Sequence, residues 1–277
     1  MQHSQKYSTH IQIMIKACQK GAAAIARDFL ELEQLQSSQR DLKEFANKVD
    51  QKAENTIIGE LKRARAEYGI YAEESPEVIG NGKFRWIIDP IDGTSNFSHG
   101  HPNYAISIAL EKFGVLQVNP SPVGYIVAGV IYLPHTKEIY WSDRDGGAYY
   151  IDPHGYQNKL KVSAGLDRHV VGTIIPHKPS SHYDNVFDEI RRIGAKIRIS
   201  GSIAMDLAYV ASGRLDYLFL NRFNLWDIAA GCLLVTEAGG SMTYKDGIFS
   251  AGGNGFMSSL EKQRKDGELI DYNDAID

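Results

Sequence analysis

The stretch Trp86-Ile87-Ile88-Asp89-Pro90-Ile91-Asp92-Gly93-Thr94-Ser95-Asn96-Phe97 constrains the fold more than any other part of the chain. Trp86 to Ile88 is an apolar run of the kind a buried strand requires. It delivers Asp89 at its C-terminal end, where Pro90 disfavours helix and keeps Asp89 extended. Asp92 follows at once, so two carboxylates and the Ile91 carbonyl come together at the mouth of one sheet. Hard oxygen donors of this kind suit Mg²⁺, which takes one or two carboxylates and fills its shell with water and substrate phosphate. Gly93 lets the backbone approach a ligand closely. If a helix starts at Thr94, its free N–H groups and positive dipole end favour a phosphate at the same spot. Taken alone, however, Asp-Pro-x-Asp-Gly is also a sound tight turn.

With 277 residues the chain is long enough for one large domain or two fused ones. Its 43% hydrophobic and 23% charged residues are ordinary for a globular protein. The formal net charge of −4 argues against a surface coated by nucleic acid. Cys18 and Cys232 both lie in apolar, helix-like surroundings, which favours buried thiols over a disulfide. Met1 to Tyr7 lacks the plan of a signal peptide, and no apolar run approaches membrane-spanning length. The expected location is the cytoplasm.

Along the chain, Ile11, Met14, Ile15, Cys18, Ala22, Ile25 and Phe29 recur at helical spacing, with Ser8 or Thr9 as N-cap. Gln34 to Asp41 reads as a loop. A second helix carries Val49, Ala53, Ile57 and Leu61, with Asp50 expected in its first turns. Ile70-Tyr71-Ala72 is a short strand leading into Glu73-Glu74, of which only one can point into a given site. Tyr104–Glu111, Tyr125–Leu133, Glu138–Ser142 and Ala148–Ile151 read as an antiparallel meander, with Gly114 to Pro122 as a long connection. His99 and His101 lack partners at metal spacing and are read as non-ligands. A helix over Tyr183–Ile193, a strand over Lys196–Ile199, a helix over Ile203–Ser212 and a strand over Leu215–Leu220 suggest an α/β second half. Gly201-Ser202 precedes the second of these helices. By itself Asp227, in Leu225-Trp226-Asp227-Ile228-Ala229-Ala230-Gly231, is an ordinary N-cap. The segment after Phe256 is polar and reads as frayed.

The twelve residues from Trp86 to Phe97 resemble the first signature of the inositol monophosphatase family of Mg²⁺-dependent phosphatases. Trp226-Asp227-Ile228-Ala229-Ala230-Gly231 with Glu237-Ala238-Gly239-Gly240 resembles the second signature. Two signatures in the right order make coincidence a poor account. The resemblance covers nearly the whole chain and implies a layered α-β-α-β-α sandwich. Its N-terminal α+β half would be residues 1–150 and its C-terminal α/β half residues 151–277, in one compact unit with the site between them.

The resemblance also implies roles. Glu73, Asp89, the Ile91 carbonyl, Asp92 and Asp227 would hold two or three Mg²⁺. Glu73 and Thr94, the latter oriented by Asp50, would align an attacking water. Asp92, Gly93, Thr94, Gly201, Ser202 and Asp227 would contact substrate or its phosphate. The implied reaction is hydrolysis of a phosphate monoester, foremost myo-inositol 1-phosphate, with lithium sensitivity and a homodimer as further family traits. Relatives sharing this machinery act on fructose bisphosphate, histidinol phosphate or 3′-phosphoadenosine nucleotides. Some bacterial members resemble regulatory scaffolds in ribosomal RNA transcription, which makes the transcription machinery a second class of partner.

Three departures from the family pattern stand out. The segment Glu44-Phe45-Ala46-Asn47-Lys48-Val49 before Asp50 lacks the usual aspartate and hydroxyl residues, and Arg40 is only loosely matched to a basic residue of the preceding loop. Ala72 replaces a glycine. Leu220 occupies the place, seven residues before Asp227, where inositol-preferring relatives carry a hydroxyl-reading glutamate.

Overall fold

The computed structural model describes residues 7–32, 39–114, 125–164, 169–174, 181–245 and 247–253. Two long helices, α1 (Thr9–Leu32) and α2 (Gln39–Ala64), are followed by a strand set that includes β1 (Gly69–Ala72) and β2 (Phe84–Asp92). After the short helix α3 (Thr94–Ser98) come β3 (Ala105–Lys112), β4 (Tyr125–Leu133), β5 (Glu138–Asp143), β6 (Gly147–Ile151) and β7 (Gln157–Lys159). These seven strands form one sheet in sequential order, with β1 and β2 parallel and every later pair antiparallel. The first sheet therefore ends at Lys159, past residue 150.

The second sheet has the order β11-β12-β10-β8-β9. It comprises β8 (Val170–Thr173), β9 (Lys196–Arg198), β10 (Tyr217–Leu220), β11 (Gly240–Lys245) and β12 (Ile248–Gly253). Its helices are α4 (Ser181–Arg192), α5 (Ile203–Ala211) and α6 (Leu225–Glu237).

Strand alternation explains the layering. On β2, Trp86 and Ile88 join Ile11, Met14, Cys18, Ile57 and Leu61 of α1 and α2, whereas Ile87 joins α5 and α6. On β10, Leu218 and Leu220 turn to the same α5–α6 layer, while Tyr217 and Phe219 pack with Tyr183, Val186 and Ile190 of α4. The order is α1/α2, first sheet, α5/α6, second sheet, α4: the five-layer sandwich expected from the sequence. Cys18 and Cys232 are buried free thiols in separate layers.

Small residues set the spacing of the central layer. A Cβ on Gly231 of α6 would lie 2.5 Å from the Leu207 side chain of α5, and one on Gly129 of β4 would lie 3.0 Å from the Ala230 carbonyl. Close approach of α6 to both α5 and the first sheet depends on these two glycines. Gly231→Ala is expected to cost about 1–3 kcal/mol through overpacking, measured by denaturant unfolding. Wild-type stability in that variant would contradict the packing described.

Several boundaries differ from the sequence reading. α2 begins at Gln39, so the end of the expected 34–41 loop is helical, while residues 34–38 lie outside the described residues. Asp50 is consequently in the middle of α2 and not in its first turns. Ser8 caps α1, its hydroxyl accepting from the Ile11 amide at 3.2 Å. Most of the 114–122 connection and the segment after Phe256 lie outside the described residues, as does the Arg40 side chain.

Candidate active site

β2 does not stop at Asp89 but runs through Pro90 to Asp92. The ladder shifts register there: Asp89 pairs with Ser107 and Asp92 with Ala105, so three steps on β2 match two on β3. Pro90 has no N–H to give to the ladder, which makes it a natural place for the extra residue. Residues three apart on a regular strand point to opposite faces. The bulge cancels that alternation and brings Asp89 and Asp92 to one side.

Asp227 reaches the same point from the first turn of α6. It is not the N-cap expected from its isolated sequence context; Asn224 is, and Asp227 sits at N3. Its Oδ2 accepts the Asn224 amide at 2.6 Å, closing a capping box that fixes the side chain. Carboxylate oxygens of Asp89, Asp92 and Asp227 all lie within 4.8 Å of one another.

Asp92 also ties the first sheet to the central layer. Its Oδ2 accepts from the Ser202 hydroxyl at 2.5 Å and the Ala204 amide at 2.6 Å, so a carboxylate from β2 serves the N-terminus of α5. Ser202 is fully buried behind Asp92 and accepts in turn from the Met205 amide at 3.3 Å. The structure thus commits the Ser202 hydroxyl to Asp92. Gly93 and Gly201 both have positive φ, 99° and 83°. A Cβ on Gly93 would lie 3.2 Å from the Gly201 carbonyl, and one on Gly201 would meet the Asn96 carboxamide at 2.7 Å. Asn96 donates to the carbonyls of Asn103 (2.6 Å) and Ser200 (2.8 Å), holding this close approach together.

The remaining expected residues stand around this core. Asp89 Oδ1 accepts the Ile91 amide at 3.1 Å, and the Thr94 hydroxyl donates to the Ile91 carbonyl at 3.1 Å. Asp50 is buried and its Oδ1 has no hydrogen-bond partner. Thr94 and Asp50, expected as a pair, are not hydrogen-bonded to each other. Glu73 lies beyond the end of β1, its amide donating to the Ile88 carbonyl at 3.3 Å and its carboxyl meeting that of Asp89. His99 Nδ1 donates to the Ser95 carbonyl (2.7 Å) and His101 Nδ1 accepts from the Asn103 amide (3.3 Å); both are exposed and neither joins the carboxylates. Leu220 is about as buried as a side chain can be, 1% exposed in the α5–α6 layer, while Arg222 is exposed.

Burial and crowding push the site's carboxyl groups up. Burial, then Glu74, Glu73 and Glu54, raises Asp50 to about 8. Burial and Glu74 raise Glu73 to about 7, and burial and Asp92 raise Asp227 to about 7. Asp89 is pushed well above the usual range by burial and by its neighbours Asp92, Glu73 and Asp227. Burial raises Asp92 only to about 6, because Ser202 and the first amides of α5 stabilise its charge. Neighbouring carboxylates raise Asp50, Glu73, Asp89 and Asp227 further, a repulsion that a cation among them would offset. A buried set of hard oxygen donors within such a short span fits a small divalent ion.

Sequence reasoning missed two buried acids beside the site. Glu54, one turn after Asp50, is fully buried and its Oε2 accepts the Glu74 amide at 2.9 Å; helical i, i+4 spacing from Asp50 was the available signal. Asp206 of α5 is buried, with Oδ2 unpartnered and its pKa raised by burial to about 8.

Comparisons with known proteins agree with this architecture. The model of the inositol monophosphatase family matches residues 6–267. Inositol-1-monophosphatase of Mesorhizobium japonicum is 40% identical over 246 residues, covering 87% of each chain. Nus factor SuhB of Xylella fastidiosa is 37% identical, covering 83% of this chain and 80% of its own. A crystal structure of the extragenic suppressor protein suhB from Bartonella henselae superposes with a TM-score of 0.76 at 36% identity, over 94% of this chain and all of that one. With both signatures in place on this fold, the chain belongs to the inositol monophosphatase family.

Proposed function

We propose that the protein hydrolyses a phosphate monoester with Mg²⁺ at the Asp89–Asp92–Asp227 cluster. The observation that carries this reading is the meeting of those three carboxylates, two buried and one half-buried, within 4.8 Å. Asp89, Asp92, Asp227, Glu73 and the Ile91 carbonyl would hold the metal. Bound there, magnesium would lower the pKa of a water and neutralise charge on the attacking and leaving oxygens.

The chain's own residues do the positioning. Asp89 and Asp92 are fixed by the β2 bulge, and Asp227 by its capping box. The first N–H groups of α3, with that of Gly93, have no partner within the helix and offer donors to the phosphate. The Thr94 hydroxyl, which donates a hydrogen bond to the Ile91 carbonyl, keeps oxygen lone pairs free to accept from the attacking water. Glu73 accepts from the same water, and the unpartnered Asp50 Oδ1 lies ready to take a donor. Proximity of this kind supplies much of a barrier reduction.

Relatives named for inositol-1-phosphate make that ester the leading substrate. Selectivity for it is expected to be weak, because the chain has leucine and no glutamate at position 220, the place where inositol-preferring relatives carry their hydroxyl-reading carboxylate. Because Leu220 is buried, Leu220→Glu would place a charge in the α5–α6 layer and destabilise the protein rather than raise inositol preference. The test is a panel of myo-inositol 1-phosphate, glycerol 2-phosphate, fructose 1,6-bisphosphate, histidinol phosphate and 3′-phosphoadenosine 5′-phosphate with Mg²⁺. The expected result is phosphate release from inositol 1-phosphate within about tenfold of glycerol 2-phosphate. Strong selectivity for either of the last two would displace the assignment. Millimolar LiCl, against a NaCl control, is expected to slow turnover, and a homodimer is the expected assembly.

A scaffold role in transcription is the second reading, favoured by relatives named Nus factor SuhB at 33–37% identity. Capture of RNA polymerase or elongation factors, undiminished by Asp92→Asn, would support it.

A further inference from the structure

Glu54 is a carboxylate with no exposure to solvent, on the α2 face that packs beside the site. Burying such a group is costly unless it is satisfied, and an alkyl side chain would close the same contact without that cost. One oxygen has a single partner, the Glu74 amide at 2.9 Å, and the other has none. Among the described residues, its charge acts on Asp50 of the same helix and on Glu73 and Glu74 beyond β1, all acidic. Among the described residues it makes no ion pair that would explain its retention there.

The grip on Glu74 has a consequence for Glu73. The Glu73 amide is tied to the Ile88 carbonyl, one residue before Asp89 on β2. The next amide is tied to Glu54, one turn beyond Asp50 on α2. The backbone of Glu73 is thus suspended between the two elements that carry Asp89 and Asp50. We propose that Glu54 is a positioning residue: by accepting the Glu74 amide it sets the Glu73 carboxylate against Asp89 and Asp50. The proposal rests on the reading of Glu73 as a metal and water ligand. The requirement is for an acceptor at that point, so glutamine would serve and an apolar residue of the same length would not.

The experiment compares Glu54→Gln, Glu54→Met and Glu54→Asp with the wild type in the full chain. Its readouts are kcat and KM with inositol 1-phosphate, calorimetric titration of the metal-stripped protein with Mg²⁺, thermal melting, and hydrogen exchange at the Glu74 amide. In Glu54→Met, exchange at Glu74 is expected to rise at least about tenfold as the bond is lost. In the same variant Mg²⁺ affinity falls about 10–100-fold, and kcat falls about as much with KM held within about threefold. Glu54→Gln keeps slow exchange, and its Mg²⁺ affinity and kcat stay within about threefold of wild type. Glu54→Asp, which keeps the charge but withdraws the acceptor by about 1.5 Å, behaves like Glu54→Met and decides the matter if the methionine variant does not fold. Wild-type Mg²⁺ binding and kcat in Glu54→Met or Glu54→Asp, with Glu74 exchanging fast, would overturn the proposal. So would a glutamine variant as impaired as methionine. A wild type without phosphatase activity would instead sink the functional reading, while exchange and Mg²⁺ titration would still decide the positioning role.

Discussion

Asp92→Asn is expected to lower kcat at least about 10²-fold, the scale set by loss of a preorganised electrostatic group. Asp92 combines two jobs, as one of three clustered carboxylates and as the acceptor for Ser202 and Ala204 at the start of α5. Asparagine keeps an oxygen that can accept from Ser202 and the Ala204 amide, so the fold should survive with only a modest loss of stability. The charge that offsets a divalent ion is gone. Steady-state kinetics together with a melting curve check both halves. A folded variant turning over at near wild-type rate would remove Asp92 from the machinery.

The second large effect is on stability in the absence of metal. Asp50, Glu73, Asp92 and Asp227 have folded pKa values of about 8, 7, 6 and 7. Unfolded carboxyls titrate near about 4, so the folded state holds more protons between these limits. Stability contributed by the protonated forms is therefore lost as pH rises through that window. A single group raised by two units costs about 2.7 kcal/mol once ionised, or about 5–10 °C in Tm. The metal-stripped protein is expected to melt at least that much lower at pH 8 than at pH 5. Millimolar Mg²⁺ should recover most of the loss at pH 8 and little at pH 5. Glu138, held below the usual range by Arg214 and Tyr150 against the opposing effect of burial, works in the other direction but titrates below this window. Thermal scans at both pH values, with chelator and with Mg²⁺, test the argument. A flat or rising Tm in chelator would show that these carboxyls are not crowded in solution.

Much of this was legible in the sequence because burial leaves a periodic trace. The apolar runs of β2 and β4 and the heptad-like face of α1 follow from which residues must leave water. The pairing of Asp89 with Asp92 was legible too, but the reason they share a face was not. That depends on a one-residue bulge against β3, a partner more than a dozen residues away. β7, with its polar Gln157-Asn158-Lys159, has no apolar alternation to betray it, and β12 is broken by Gly252 and Gly253. The early start of α2 falls in a polar stretch that local preference assigns to a loop. Leu220 was read as a substrate-facing departure; alternation along β10 turns it into the central layer instead. Glu54 and Asp206 escaped notice because a lone acid in a helix is an ordinary surface residue until the tertiary fold buries it.

The central claim is that a divalent ion held by Asp89, Asp92 and Asp227 makes this fold a phosphatase. Its most direct test is phosphate release from myo-inositol 1-phosphate by metal-stripped protein as Mg²⁺ is added back, beside Asp92→Asn under the same conditions. The account predicts no turnover in chelator, saturable recovery with Mg²⁺ in the wild type, and at least about 10²-fold less in the variant. Turnover that persists in chelator, or that Mg²⁺ restores equally in Asp92→Asn, would contradict it.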